Sequence, residues 1–267
     1  MFKNEYKITT EAIPERVFCL YRIVNKDKEI SKKELKNKMI PDDIDEGKDS
    51  NYFKYSLVVA EELNLVREEG NSIFINSQIN YMETIQDFRK YVNSILIQQY
   101  SDGPFFCVTK DIFDANHKVL EYNSVSEMAN LVENLETQGS STMNGWRFWA
   151  SFLGFGLLGL SKNKKDNTSF IPNCYQFIVD ILPLTELKKG TLYTIDEFVS
   201  AITPYAQLVL GQSLEKRFNF GMSNALRTMH NNEIIKLEFY NDQDSEWMLD
   251  RLDIHSIVDK VTHIIIL

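Results

Sequence analysis

The chain has 267 residues, which is long enough for one large domain or for two to three small ones. Hydrophobic residues make up 43% and charged residues 25% of the sequence, which excludes a chain that is disordered throughout. The formal net charge is −9, which excludes a surface that is positive all over, and residues 176–267 hold 8 basic and 13 acidic residues. Any contact with a polyanion must therefore be local.

Cysteine usage and hydropathy bear on the compartment. The cysteines are Cys19, Cys107 and Cys174, without a C-x-x-C pair, and the first 16 residues contain no apolar stretch of the kind found in signal peptides. This pattern predicts a protein of the reducing cytoplasm. The longest apolar run, around residues 148–160, is too short to span a bilayer and contains three glycines, so no membrane partner is expected.

Residues 1–80 carry the pattern of three helices and a hairpin. In "IPERVFCLYRIV" apolar residues recur at helical spacing after Pro14, which suits a first helical turn. Ser31 and Glu34 form the S-x-x-E pattern of a helix start, and "NYFKYSLVVAEELNLV" has the apolar stripe of a third helix. The run around Glu69-Gly70-Asn71 has the composition of a hairpin. This is the order of a winged-helix unit.

The same order is expected in residues 81–175, less regularly. "YMETIQDFRKYVNSILIQQY" is typical of an amphipathic helix, whereas the segment that begins at Phe105 stays undecided. Further helices are expected in "SVSEMANLVENLE" and in "NGWRFWASFLGFG". Two apolar arms around a polar, basic turn then predict a hairpin in "LLGLSKNKKDNTSFIPN".

Residues 176–267, with the preceding Tyr175, repeat the order a third time. Helices are expected in "YQFIVDILP" and "YTIDEFVSAITPYAQ", and a third helix is expected on the stripe Leu214, Phe218, Met222 and Leu226. "IIKLEFY" and "SEWML" are predicted to be the two arms of a hairpin around residues 241–244. The tail "THIIIL" has the composition of a closing strand.

Together the elements predict an α+β, helix-rich chain of two to three tandem winged helix-turn-helix units with short β-hairpin wings. The predicted boundaries are a winged-helix unit over residues 1–80, a helical linker with a second winged-helix-like unit over 81–175, and a C-terminal winged-helix unit over 176–267.

Gly154, Gly156 and Gly159 are spaced as G-x-G-x-x-G, the fingerprint of a dinucleotide-binding loop. That function requires a strand before the first glycine and a helix after the last one. Here a helical pattern precedes the glycines and a polar turn follows them. We therefore interpret Gly154 and Gly156 as residues that end a helix and turn the chain into a wing, and no cofactor is expected.

Catalytic and metal-binding patterns were sought among the histidines, cysteines and carboxylates. The four histidines are far apart in sequence and form neither H-E-x-x-H nor a zinc-finger spacing, and there is no G-x-S-x-G and no Walker A motif. An acidic cluster that could be imagined as metal ligands is interpreted as a solvated loop; its members are Asp42, Asp43, Asp45 and Glu46. The sequence therefore predicts no catalytic residue, no metal site and no enzymatic activity.

Contact with nucleic acid is the stronger functional hypothesis. In helix-turn-helix docking the third helix lies in the major groove, and polar side chains near its start contact bases or phosphates. Solvated helix faces carry such residues as well. The candidates at the predicted third helices are Asn51 and Lys54 in the first unit, Asn144 and Arg147 in the second, and Lys216 and Arg217 in the third.

The predicted wings differ in charge. The middle wing concentrates Lys162, Lys164 and Lys165 at its tip, where they could reach a phosphate backbone. The first wing offers less, with Arg67 and Asn71, and the third wing has acidic residues at 242 and 244, which would repel phosphate. At least one unit is therefore expected to contact protein rather than nucleic acid.

The stretches "IPERVFCLYRIV", "WRFWASFLGFG" and "SFIPN" resemble the winged-helix accessory proteins of bacterial phage-defence and DNA-modification islands, of the DpdG type. The resemblance implies a DNA-related role inside a multiprotein system and supplies no functional residues. The resulting hypothesis is a non-catalytic protein whose partners are nucleic acid, with duplex DNA as the first candidate, and other proteins of a complex. The alternative is a protein-protein adaptor built from winged helices without direct nucleic-acid contact.

Overall fold

The computed structural model describes residues 1–3, 8–40, 50–100, 102–132, 139–160, 168–210, 216–241 and 246–267. The described chain is α+β and rich in helix, with short antiparallel strand pairs, as predicted. Its helices are α1 (Pro14–Asp27), α2 (Lys32–Met39), α3 (Ser50–Glu62), α4 (Ile85–Tyr100), α5 (Pro104–Asp114), α6 (Gly139–Phe152), α7 (Tyr175–Ile181), α8 (Ile195–Leu210) and α9 (Phe220–Asn231). Its strands are β1 (Glu29–Ser31), β2 (Val66–Glu69), β3 (Ser72–Ile75), β4 (Gly156–Leu160), β5 (Thr168–Pro172), β6 (Leu192–Thr194), β7 (Ile235–Glu238), β8 (Trp247–Met248), β9 (Lys260–Val261) and β10 (His263–Ile266).

The first unit, α1 to β3, has the three helices and the hairpin that its sequence predicts, together with strand β1, which was not predicted. Pro14 lies in the first turn of α1, and the Ser31 hydroxyl accepts the Glu34 N–H at 3.2 Å at the start of α2. Gly70, at φ +61°, allows the tight turn between β2 and β3. The sheet order is β1-β3-β2, so the strand before α2 pairs with the last strand of the unit. The apolar stripe of α3 is buried at Phe53, Leu57, Ala60 and Leu63.

The second unit, α5 to β5, follows the same order with one departure. The helix expected in residues 124–136 is a short 3₁₀ turn over Glu127–Leu131, and residues 133–136 lie outside the described part. The reason is tertiary: the Val125 N–H donates to the Thr168 carbonyl of β5 at 2.7 Å, and the Val125 side chain is fully buried. This contact joins the turn at Val125 to β5, on the side of β5 where a first strand would lie.

The third unit, α7 to β10, has the sheet order β6-β10-β7, in which the strand before α8 again pairs with the last strand. The prediction that "IIKLEFY" pairs with "SEWML" is wrong, because β7 pairs with β10 and β8 pairs with β9. The tail supplies the central strand because it can bury Ile264 and Ile266 between two neighbours. Residues 239–262 are therefore an insertion between two strands rather than a simple wing.

The hydrophobic core is continuous through all three units. The Trp149 indole N–H donates to the Ala12 carbonyl at 2.7 Å, which ties α6 to the chain before α1. The Phe2 ring packs against Phe105 and Trp149 at centroid distances of 5.3 and 5.1 Å. The domain boundaries after residues 80 and 175 stay predictions.

A buried polar network joins α4 to α7. The Asp180 side chain, fully buried, accepts the Arg89 Nε–H at 2.7 Å and the Asn93 amide at 3.0 Å. The Gln176 amide donates to its other oxygen at 3.0 Å. Because each donor satisfies the carboxylate, the charge can be buried, and the linking helix α4 is fixed to the third unit.

Candidate nucleic-acid interface

The first two turns of α3 form an open face. Asn51 and Lys54 are exposed and Tyr55 and Val58 are half-buried, and their i, i+3, i+4, i+7 spacing places them on one side of the helix, opposite the buried stripe. No described carboxylate pairs with the Lys54 ammonium, which lies 5.7 Å from the centroid of the Tyr55 ring. The two candidates that the sequence predicted in this helix therefore lie together on its surface.

Arg16 and Tyr55 also contribute to this face, and the sequence prediction missed both. The Arg16 guanidinium of α1 lies over the ring of Tyr52, 4.3 Å from its centroid. Its NH1 also donates to the Glu11 carbonyl at 2.8 Å, so the guanidinium is fixed beside the start of α3. Tyr55 could have been found from its position four residues after Asn51. Arg16 could not, since its approach depends on how α1 packs on α3.

The last turn of α3 is closed. Glu62 would lie on the open face by its spacing, but its carboxylate accepts from the Met1 ammonium at 2.9 and 3.1 Å and from the Phe2 N–H at 3.1 Å. Glu62 and Met1 are both almost fully buried. Burial lowers the pKa of the Met1 ammonium, and this effect outweighs the negative charge of Glu62, which raises that pKa. Only the N-terminal part of α3 can therefore reach a ligand.

The first wing is neutralised by its own ion pairs. Arg67 lies 2.8 Å from the Glu69 carboxylate, and Lys32 lies 2.7 Å from that of Glu68. Burial raises the pKa of the neighbouring Glu61, and the charge of Glu68 adds to that effect. Arg67 is exposed, but a phosphate would have to compete with Glu69 for it.

In the second unit α6 presents a similar face. Asn144, Arg147, Phe148 and Ser151 share one side of the helix and are half-buried. The Asn144 amide donates to the Ser126 hydroxyl at 3.3 Å, and the Arg147 guanidinium lies 4.9 Å from the centroid of Phe148. Among the described residues Arg147 Nε has no hydrogen-bond partner. This nitrogen is buried, so it does not add to the exposed hydrogen-bonding capacity of the half-buried side chain.

The structure describes the two strands of the middle wing but not the tip that joins them. β4 and β5 pair from Gly156↔Pro172 to Leu160↔Thr168. Lys162, Lys164 and Lys165 lie outside the described residues, so their role as the main phosphate contact stays a prediction.

Among its described residues the third unit has no comparable face. In α9, Gly221, Met222, Ala225 and Leu226 are buried, and its middle turns contact α7, β5 and β7. A Cβ on Gly221 would lie 2.5 Å from the Phe113 ring of the second unit. The helix that would enter a groove is therefore packed inside the protein.

The third-unit candidates occupy other places than predicted. Lys216 and Arg217 precede α9, which begins at Phe220 because Asn219 caps it, accepting the Met222 N–H at 2.8 Å. The Lys216 ammonium pairs with the Asp196 carboxylate at 2.9 Å. The backbone of Arg217 forms an isolated parallel β-bridge with Met248. Placing both residues at the start of the third helix was wrong. Residues 242 and 244, predicted to repel phosphate, lie outside the described part.

The glycine motif follows helix α6 and continues into strand β4, which contains Gly156 and Gly159. This is the reverse of the strand-then-helix order of a dinucleotide site. Gly154 follows α6 at φ +82°, and the chain then enters β4. Gly156 has an ordinary φ and is required by close approach instead, since a Cβ there would lie 2.4 Å from Phe170 Cζ and 2.5 Å from the Ile171 carbonyl oxygen. Both residues turn the helix into the wing, as predicted.

Among the described residues no three His, Cys, Asp or Glu side chains come together as metal ligands would. His117 pairs with Asp250 at 2.7 Å, and the His255 ring N atom Nδ1 accepts the Ile257 N–H at 3.0 Å. Each of these imidazoles thus has a structural partner. None of the described helices combines the length and the apolar character of a membrane span.

Comparison with known proteins gives one match. The model of a family described as DpdG-like matches residues 7–205, which is more than half of the chain and extends from before α1 into α8. No curated protein and no solved structure matches. The chain therefore belongs to the DpdG-like family, which associates it with DNA-modification and defence islands.

Proposed function

We propose that the chain is a non-catalytic protein of tandem winged-helix units that binds duplex DNA inside a multiprotein defence system. The first and third units share the order helix, strand, helix, helix, strand, strand, with the first strand paired to the last. The second unit follows this order, with the contact from Val125 to Thr168 in place of the first strand. Family membership supports the DNA-related setting.

The observation that carries the proposal is the difference between the three third helices. α3 exposes an amide and a cation, Asn51 and Lys54, and α6 carries a half-buried pair of the same kind, Asn144 and Arg147. α9 is packed inside the protein. Two of the three units therefore retain the surface that a winged helix uses to enter the major groove.

The chemistry of these side chains fits duplex DNA. Lysine neutralises a phosphate, asparagine can bond adenine N6 and N7, and arginine can bond guanine O6 and N7. Lys54 and Arg147 act locally, on a chain whose net charge of −9 opposes general attraction to DNA. Binding must then be short-ranged and strongly dependent on salt.

A salt titration of a labelled duplex tests this proposal. The logarithm of the binding constant should fall linearly with the logarithm of salt concentration, and Lys54→Ala should reduce the slope by about 0.9, one phosphate contact. That change corresponds to about fivefold weaker binding near 0.15 M salt. Lys189→Ala removes an equal charge from an exposed loop residue of the third unit and should leave the slope unchanged. Equal effects of the two variants, or binding without a salt slope, would contradict the proposal.

A second candidate is the adaptor without nucleic-acid contact. It is favoured by the insertion of the third unit, where Ile254 is 93% exposed and Leu252 is 37% exposed, next to Asp250 and Asp253. An exposed apolar residue flanked by acids suits a protein partner better than a phosphate backbone. Loss of a partner from the complex on Ile254→Asp, in a chain that shows no duplex binding at any salt concentration, would favour the adaptor.

A further inference from the structure

Strand β4 has an open outer edge. The Asn173 N–H donates to the Phe155 carbonyl at 3.1 Å, and in an antiparallel pair such bonding residues alternate with non-bonding ones. The N–H and C=O groups of Gly156, Leu158 and Leu160 therefore point away from β5. Among the described residues no strand pairs with that edge, and the β4-β5 sheet has two strands.

The edge carries none of the usual protections against pairing with another chain. β4 reads Gly-Leu-Leu-Gly-Leu, without charge, proline or bulge. Leu157 is 61% exposed on one face of the strand and Leu158 is 38% exposed on the other. Opposite Leu157 on β5, Ile171 is 39% exposed and extends the apolar surface.

The sequence of this strand is complementary to itself. If two copies of β4 align antiparallel about a twofold axis through Leu158, Leu158 faces its own copy and Leu157 faces Gly159. The outward groups of Gly156, Leu158 and Leu160 then all lie at hydrogen-bonding positions. A Cβ on Gly159 would meet only the Ser169 hydroxyl, at 3.3 Å, so the space above it can receive the opposing leucine.

We infer that the outer edge of β4 is a docking site for a second copy of this chain, joined through β4 of both copies into a four-stranded antiparallel sheet. The occupant follows from the register, because a second copy aligned about Leu158 bonds every outward backbone group and places a glycine against Leu157 of each copy. The inference does not depend on nucleic-acid binding.

The contact is small. Five residues of edge and a few side chains lie below the roughly 1,200 Å² of a standard interface, so the association belongs to the weak, transient class. It should be measured by sedimentation equilibrium of the full chain between roughly 1 µM and 1 mM. A shift from monomer to dimer in that range is expected.

Charge substitution at the twofold axis gives a test specific to this register. Leu158→Glu and Leu158→Lys each place like charges against each other across the axis, so each variant alone should stay monomeric over the whole range. An equimolar mixture places Glu against Lys and should dimerise at least as strongly as the unchanged chain. Leu184→Glu, at a leucine of equal exposure (39%), is the matched control and should dimerise normally.

Leu158→Pro tests the outer edge of β4 without removing a hydrogen bond of the β4-β5 pair. Its N–H points away from β5, so proline removes a bond of the dimer and none of the β4-β5 pair. This variant should stay folded, with the β4-β5 pair intact, and yet stay monomeric. A chain that is monomeric at 1 mM, or a mixture of the Glu and Lys variants that stays monomeric while the unchanged chain dimerises, overturns the inference.

Discussion

Gly154→Ala tests whether the glycine motif is structural. Gly154 has φ +82°, and an added Cβ would lie 2.7 Å from both Gln176 Cβ and the Phe177 backbone nitrogen. The left-handed conformation costs about 1–2 kcal/mol for alanine. The contact adds about 1–3 kcal/mol, because the backbone of α7 would have to shift. We expect a total loss of roughly 2–5 kcal/mol, a large part of the stability of a typical domain.

Gly70→Ala is the matched control. Gly70 has φ +61°, and a Cβ there would meet nothing within 4 Å, so only the conformational cost of about 1–2 kcal/mol applies. Urea unfolding followed by tryptophan fluorescence, to which Trp146 and Trp149 of α6 and Trp247 of β8 contribute, gives both losses. Equal losses for the two variants would refute the reasoning, and so would a wild-type chain that binds a dinucleotide tightly in a calorimeter.

Three further predictions concern stability and reactivity. Asp180→Ala should lower the free energy of unfolding by about 3–5 kcal/mol, measured by denaturant titration, because buried donors lose their acceptor. A thiol reagent should label the exposed Cys19 and Cys107 in the native chain but not Cys174, since burial raises the pKa of its thiol; rapid labelling of three thiols would contradict this. Hydrogen bonds from the N–H and the hydroxyl of Thr194, just before α8, lower the pKa of Glu197 below its ordinary 4.5, so the stability that Glu197 contributes is present at neutral pH and lost on acidification. The difference in melting temperature between Glu197→Gln and the unchanged chain should therefore vanish well below pH 4.5.

Local signals predicted most of the first unit. The Ser31 cap, the turn at Gly70 and the stripe on α3 each depend on residues close in sequence, and the structure has all three. The open face of α3 followed from the same periodicity, since residues opposite a buried stripe face solvent. Asn51 and Lys54 could therefore be named from the sequence.

The errors arose where distant contacts decide the structure. The 3₁₀ turn near Val125 depends on a bond to β5, and the pairing of β7 depends on a strand at the other end of an insertion. Nothing in the pattern of α9 shows that its polar residues serve the fold: the Asn224 amide donates to the Pro172 carbonyl at 3.2 Å. An amide on a helix predicts recognition only where tertiary packing leaves it open.

The most direct test of the central claim is duplex affinity after charge reversal on the two open faces. Lys54→Glu combined with Arg147→Glu should weaken binding by at least about 100-fold, since each reversal removes a cation and adds a repulsive charge. Lys189→Glu combined with Lys236→Glu makes the same change of net charge in the third unit and should weaken binding far less. Equal weakening by the two double variants, with both chains folded, would contradict the assignment of DNA contact to α3 and α6.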